Sequence, residues 1–143
     1  MYLLDTNICI ALIDKHPQAI AKFYPRFSQC GLSTIVIAEL YQGAYCSQKI
    51  VENLRDTRNF INLIPTIVQF DEDAALEFGI IQGELKRIGR PTQKLDGIIA
   101  AVARSRGDIL VTHNIKDFIN IPGLQLEDWL EETQEETEEN SRY

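Results

Sequence analysis

Four acidic residues sit where an acid has to be accounted for. Asp5 ends the apolar run Tyr2-Leu3-Leu4, and Glu39 lies within Ile35-Val36-Ile37-Ala38-Glu39-Leu40. Asp96 opens Asp96-Gly97-Ile98-Ile99-Ala100-Ala101-Val102-Ala103, and Asp117 follows the β-rich Ile109-Leu110-Val111 by six residues. Each has an ordinary reading. Asp5 or Thr6 caps the helix that follows, Asp96 caps its own helix, and Asp117 caps a short turn before Phe118. Glu39 is then a surface residue on a helix. Brought together, the four acids would mean something else. Two carboxylates about 5 Å apart repel by roughly 3 kcal/mol at an effective dielectric near 20, so a cluster needs protons or cations. Hard oxygen donors without His or Cys select Mg²⁺ or Mn²⁺ over zinc. Such an ion held by carboxylates usually works on phosphates, which points to a metal-dependent phosphodiesterase.

Convergence depends on the elements that carry the acids. Tyr2 to Leu4 reads as a buried strand with Asp5 at its carboxyl end, the end at which open α/β sheets bind ligands. Ile8 to Ile13 fits a short helix stopping near His16-Pro17, and Gln18 to Phe27 a second helix. Leu32 to Thr34 is a short inner strand, with Ser33 or Thr34 capping a helix from Ile35 to about Tyr45. Ser47 opens a further helix to about Leu63. Ile64 to Phe70 is β-rich with Pro65 near its start, hence an edge or early strand. Asp71 caps a helix from Glu72 to Ile88, and Gly89 and Pro91 end it. The next helix starts around Leu95 or Asp96 and runs to Arg106, with Gly107 as its C-terminal cap. Ile109 to Val111 is the clearest buried strand; Ile115 to Phe118 is one turn, and Leu124 to Leu126 a last strand. Strands separated by helices imply an α/β fold with a parallel sheet covered on both faces.

Size and composition fit this frame. The 143 residues make one domain with a sizeable core. No apolar run approaches a membrane span, and the N-terminus has no basic start, so the cytoplasm is the expected compartment. Three cysteines, Cys9, Cys30 and Cys46, lack Cys-x-x-Cys spacing and read as buried reduced thiols. The net charge of −7 looks unsuited to nucleic acid, but eight of the 21 acids fall in residues 127–143, leaving 13 acids and 13 bases before them. Charge therefore neither excludes RNA nor argues for it. Residues 131–143 form an acidic tail with nothing to bury, a frayed helix or disordered.

Taken in order, these pieces resemble the PIN-domain family, and within it the VapC-type toxins of bacterial toxin–antitoxin pairs. The resemblance covers residues 1 to about 130. It rests on Tyr2-Leu3-Leu4-Asp5-Thr6-Asn7, Ser33-Thr34 with Ala38-Glu39-Leu40, Gly89-Arg90-Pro91, Asp96 with Ile99-Ala100-Ala101, Thr112-His113-Asn114 with Asp117-Phe118, and Pro122-Gly123-Leu124. It implies a Rossmann-like sandwich, a central parallel sheet of four to five short strands flanked by helices, and Mg²⁺- or Mn²⁺-dependent endoribonuclease activity.

By the same resemblance Asp5, Glu39 and Asp96 form the acidic metal site, and Asp117 with Asn114 the fourth corner. Asn114 stands where many relatives carry an acid, which leaves the fourth ligand and any second metal open. Thr6, Asn7, Thr112 and Asn114 would stand behind the site and orient metal-bound water. Arg87, Arg90 and Lys94 precede Asp96 and could hold the RNA backbone, or be a solvated helix end and loop. Water attacking in line would leave a 5′-phosphate and a 3′-hydroxyl, with tRNA or another structured RNA as target. A homodimer and a cognate antitoxin follow as partners, with DNA reached only through the antitoxin. Tyr24, Phe27, Tyr41 and Tyr45 are candidates for its docking surface, although their spacing favours the core. Two rivals stand beside this reading. An aspartyl phosphatase would use Asp5 as nucleophile, but it usually wants a second Asp where this chain has Asn7. A PIN-like binding or scaffold module would have no use for the leading acids.

Overall fold

A computed structural model describes residues 1–131. The acidic segment from residue 132 onward, expected as a tail, lies outside the described residues. Strand β1 (Tyr2–Leu4) leads directly into α1 (Thr6–Ile13), because Asp5 leaves the ladder in an extended conformation and caps the helix. Helix α2 (Pro17–Phe23) starts on a proline, whose fixed φ suits a first turn. The single helix expected over Gln18 to Phe27 does not form. From Tyr24 to Gln29 the chain winds as a 3-10 helix, since Pro25 has no N–H to continue the α pattern.

Strand β2 (Cys30–Ser33) begins two residues earlier than the sequence predicts, because Cys30 and Gly31 pair with Tyr2 and Leu3. Ser33 then caps α3 (Thr34–Tyr45), its hydroxyl accepting from the Val36 amide at 3.2 Å. Ser47, expected to open the next helix, instead closes this one: its hydroxyl donates to Ala44 O at 2.6 Å. Helix α4 (Ile50–Leu63) follows, then β3 (Thr66–Val68), which is an edge strand as its proline implies. Asp71 caps α5 (Glu72–Arg87) through the Ala74 amide at 2.9 Å.

Helix α6 (Lys94–Arg106) is apolar or small through its middle, charged at both ends, and the most buried of the described helices, from Gly97 through Ile99 to Ala103. It ends at Gly107 with φ +70°, a conformation that costs a side-chain-bearing residue energy. Strand β4 (Ile109–Val111), the one-turn α7 (Ile115–Phe118) and β5 (Gln125–Glu127) complete the described elements.

All five strands are parallel, in the order β3-β2-β1-β4-β5, with helices on both faces. From β1 the chain builds outward to β3, crosses back, and builds the other side from β4. The direction therefore reverses between β1 and β4, and a cleft opens beyond their carboxyl ends at such a point. The core beneath holds Leu4, Ile8, Leu32, Val36, Leu110, Val111 and Phe118, and Trp129 is fully buried beside Tyr2 and Phe23. Tyr24 and Tyr45 depart from the core reading: they are 70% and 59% exposed, while Phe27 and Tyr41 are half-buried. Helical spacing names a face, but the 3-10 turn at Tyr24 and the end of α3 at Tyr45 rotate both rings outward. Cys9 and Cys30 are buried as expected, but Cys46, the C-terminal cap of α3, is exposed. Among the described residues no helix is long and apolar enough to cross a membrane.

Candidate active site

Asp5 stands at the reversal point. Its amide extends the sheet by donating to Val111 O at 2.9 Å, which fixes the side chain over the ends of β1 and β4. Both carboxylate oxygens are held: Oδ1 accepts from the Thr6 amide and Oδ2 from the Thr112 hydroxyl, each at 2.8 Å. The cap and the site, which the sequence offered as rival readings, are thus two uses of one carboxylate. Thr112 is completely buried, and its oxygen also accepts from the Asn114 amide at 3.1 Å. The Thr6 hydroxyl donates to Glu39 Oε1 at 2.8 Å and joins α1 to α3. Asn7 Oδ1 accepts from the His113 amide at 3.1 Å, so the turns after β1 and β4 are tied at two places. Thr6, Asn7 and Thr112 all direct hydrogen bonds at protein groups, and the Asn114 side chain is exposed.

Asp96 lies in the first turn of α6, half-buried, where the helix dipole favours a negative charge. It is not the cap; that position falls to Gln93. Asp117 is exposed on α7 at the rim. The four acids act on one another. Burial pushes the Asp5 carboxyl above its ordinary range against the Thr112 and Thr6 hydrogen bonds, and the charge of Asp117 pushes it further. Glu39 is raised by burial first and then by Asp5, with Thr6 opposing. Asp96 is raised by burial, then by Asp117, Asp5 and Glu39 in that order. Among the described residues no Lys or Arg forms an ion pair with any of the four.

This is a donor set of oxygens alone, with mutual repulsion and no ion-paired cation, and that chemistry suits a hard divalent cation. As the side chains stand, no three acidic, imidazole or thiol groups among the described residues already enclose a metal position. The fit therefore lies in the donors and their charge, not in a finished cage.

Beside the acids a cavity of about 220 Å³ is walled by Arg90, Gln93, Asp96, Lys116, Asp117 and Asn120, among others. Of the three basic residues expected near RNA, Arg90 reaches this cavity, whereas Arg87 and Lys94 are exposed and do not line it. Lys116 was missed by the sequence reading. The signal available was its place one residue before Asp117.

A parallel sheet that reverses direction at its centre, with four interacting carboxylates at the carboxyl ends, defines a Rossmann-like α/β protein with an acidic site. The PIN-domain family model matches residues 2–124, and the chain belongs to that family. Its VapC branch supplies close relatives. A tRNA(fMet)-specific endonuclease VapC of Shigella flexneri is 39% identical over 129 residues, 90% of this chain and 97% of that protein. A ribonuclease VapC2 of Haemophilus influenzae is 35% identical over 130 residues, 90% of this chain and 98% of that protein. Among solved structures, the DNA-bound VapBC of Salmonella typhimurium is similar with a TM-score of 0.85 at 37% identity, covering 90% of this chain and 97% of that one.

Proposed function

We propose that this chain is a metal-dependent endoribonuclease toxin that hydrolyses RNA phosphodiesters and is silenced by a cognate antitoxin. The observation that carries the reading is that Asp117 repels Asp5, Asp5 repels Glu39, and Asp96 is repelled by all three, with no Lys or Arg ion-paired to any of the four among the described residues. Asp5, Glu39 and Asp96 would hold Mg²⁺ or Mn²⁺, with Asp117 or Asn114 at the fourth corner. A bound ion of this kind supplies a water nucleophile at neutral pH and offsets the charge that develops in an in-line displacement. Thr112 and the Thr6 amide fix the direction of the Asp5 oxygens, and Thr6 does the same for Glu39. Arg90 and Lys116 would place the RNA backbone over the acids by charge, without reading its sequence.

The relatives' names support the substrate: one acts on tRNA(fMet), so tRNA or another structured RNA is the proposed target. Structures of VapBC pairs on DNA support an antitoxin partner; in this reading the chain would reach DNA only through that partner. A largely apolar segment of that partner has a suitable groove of about 290 Å³ between α1, α3 and α4, with an apolar wall of Ile10, Ile13, Leu40 and Ala44 and with Asp14, Glu39 and Asp56 among its polar lining. A homodimer working in the cytoplasm completes the reading.

The test is cleavage of bulk tRNA by purified chain, with the new ends sequenced. Asp5→Asn and Asp96→Asn should each lower the rate at least about 100-fold, and chelator should abolish it until Mg²⁺ or Mn²⁺ is returned. The ends should carry 5′-phosphate and 3′-hydroxyl. No cleavage above a background that chelator and both substitutions leave unchanged would favour a binding module instead.

A further inference from the structure

We propose that the loop from His113 to Lys116 is a second RNA subsite, which grips the second nucleotide from the cleaved bond by its phosphate and its base. This rests on the ribonuclease reading above. A cavity of about 470 Å³ lies between this loop and the segment after β5, walled by His113, Asn114, Ile115, Lys116, Asp128 and Glu131. Lys116 walls this cavity and also the one containing Asp96 and Asp117, so the two spaces are neighbours with one ammonium between them. That ammonium is exposed and, among the described residues, in no ion pair.

His113 is held from both ends. Its amide is fixed by Asn7, two residues after Asp5, and its Nδ1 lies 3.0 Å from Asp128 Oδ2. An ionised carboxylate only accepts, so Nδ1 carries the proton and Nε2 is the ring atom left for a ligand. The Asp128 side chain is 10% exposed and the His113 side chain 55%, so the anchor is inside and the ring presents a free face. A ring oriented in this way loses little freedom when a base stacks on it.

The charge of the cavity narrows the ligand. Lys116 is opposed there by Asp128 and Glu131, a poor setting for a free phosphate or polyphosphate with several negative charges. A nucleotide within a strand brings one negative charge and a large neutral aromatic surface. Lys116 suits the first and His113 the second. Because the ammonium also borders the acids, the strand would pass directly from the cleavage point onto the ring.

The experiment uses the full chain with Mn²⁺ and an oligoribonucleotide spanning a cleavage site that the same chain makes in bulk tRNA. Single-turnover rates are measured for Lys116→Ala, Lys116→Arg, His113→Ala and His113→Phe against oligomers shortened one nucleotide at a time from either end. Lys116→Ala should raise the half-saturating enzyme concentration about ten-fold and lower the salt slope by about one, with Lys116→Arg restoring both. His113→Ala should weaken binding by a similar factor and His113→Phe should recover it. Both penalties should disappear together on the oligomer that keeps the cleaved bond but lacks the second nucleotide on one side of it. Active unaltered chain with unchanged Lys116→Ala and His113→Ala overturns the subsite alone, as do penalties that persist whichever end is shortened. An unaltered chain that cleaves no RNA overturns the ribonuclease reading, and the subsite with it.

Discussion

At the scale of single residues, Asp5 shows how a site is held at a cost to the fold. The residue is 6% exposed and its carboxylate accepts two hydrogen bonds, yet burial outweighs them and holds its pKa above the ordinary 3.8. A carboxyl whose folded pKa is raised contributes stability that is fully present below the unfolded pKa. That contribution is lost as the pH rises through the folded value. Asp5→Asn keeps the helix cap, since Asn caps as well as Asp, and removes the charge. In chelator, the denaturation midpoint of Asp5→Asn should match that of the unaltered chain below about pH 4 and exceed it increasingly towards neutrality. Urea titrations from below the ordinary carboxyl pKa of 3.8 up to neutral pH check this, and equal midpoints throughout would contradict it. The same substitution should abolish cleavage, which is the pattern expected where function and stability compete for one side chain.

At the scale of elements, the positions of α5, α6 and the loop after α7 depend on Arg104. Its guanidinium donates to Glu77, to Glu84 Oε2 at 2.7 Å and to Pro122 O at 2.9 Å, so one side chain ties three segments. Helix α6 also packs unusually close to α5 at its other end. A Cβ on Gly97 would meet Gln82 Nε2 at 2.5 Å and Phe78 at 3.2 Å. Replacing Arg104 by Met keeps much of the volume but leaves Glu77 and Glu84 without their cation. Because the group is mostly but not wholly buried, Arg104→Met should cost about 1–3 kcal/mol, less than a fully buried pair. The loss should appear as a lower denaturant midpoint with an unchanged slope.

For the whole molecule, closure of the sheet depends on its last described segment. Trp129 is 1% exposed, packs against Tyr2 at 5.8 Å and Phe23 at 6.5 Å between ring centroids, and donates Nε1–H to Glu127. It thereby joins the end of the described chain to the first strand. Trp129→Ala should cost about 3–5 kcal/mol through the cavity it leaves. That is a large share of the stability of a domain this size, so the melting temperature should fall by 10 °C or more, roughly.

The sequence by itself determined the strands at Tyr2–Leu4 and Ile109–Val111, the caps at Asp71 and Gly107, the alternation that makes a parallel α/β sheet, and the acids worth watching. These follow from local signals, in which period, capping and backbone preference act within a few residues of one another. Only the tertiary structure decided that Asp5 is both cap and site residue, that β2 starts at Cys30, and that Tyr24 and Tyr45 face outward. It alone placed Lys116 between two cavities, paired His113 with Asp128 and gave Arg104 its three partners. Each of these depends on groups far apart in the chain, joined at the reversal between β1 and β4 or packed across the sheet. Their distances are set by how the layers fit, and no local pattern carries that information.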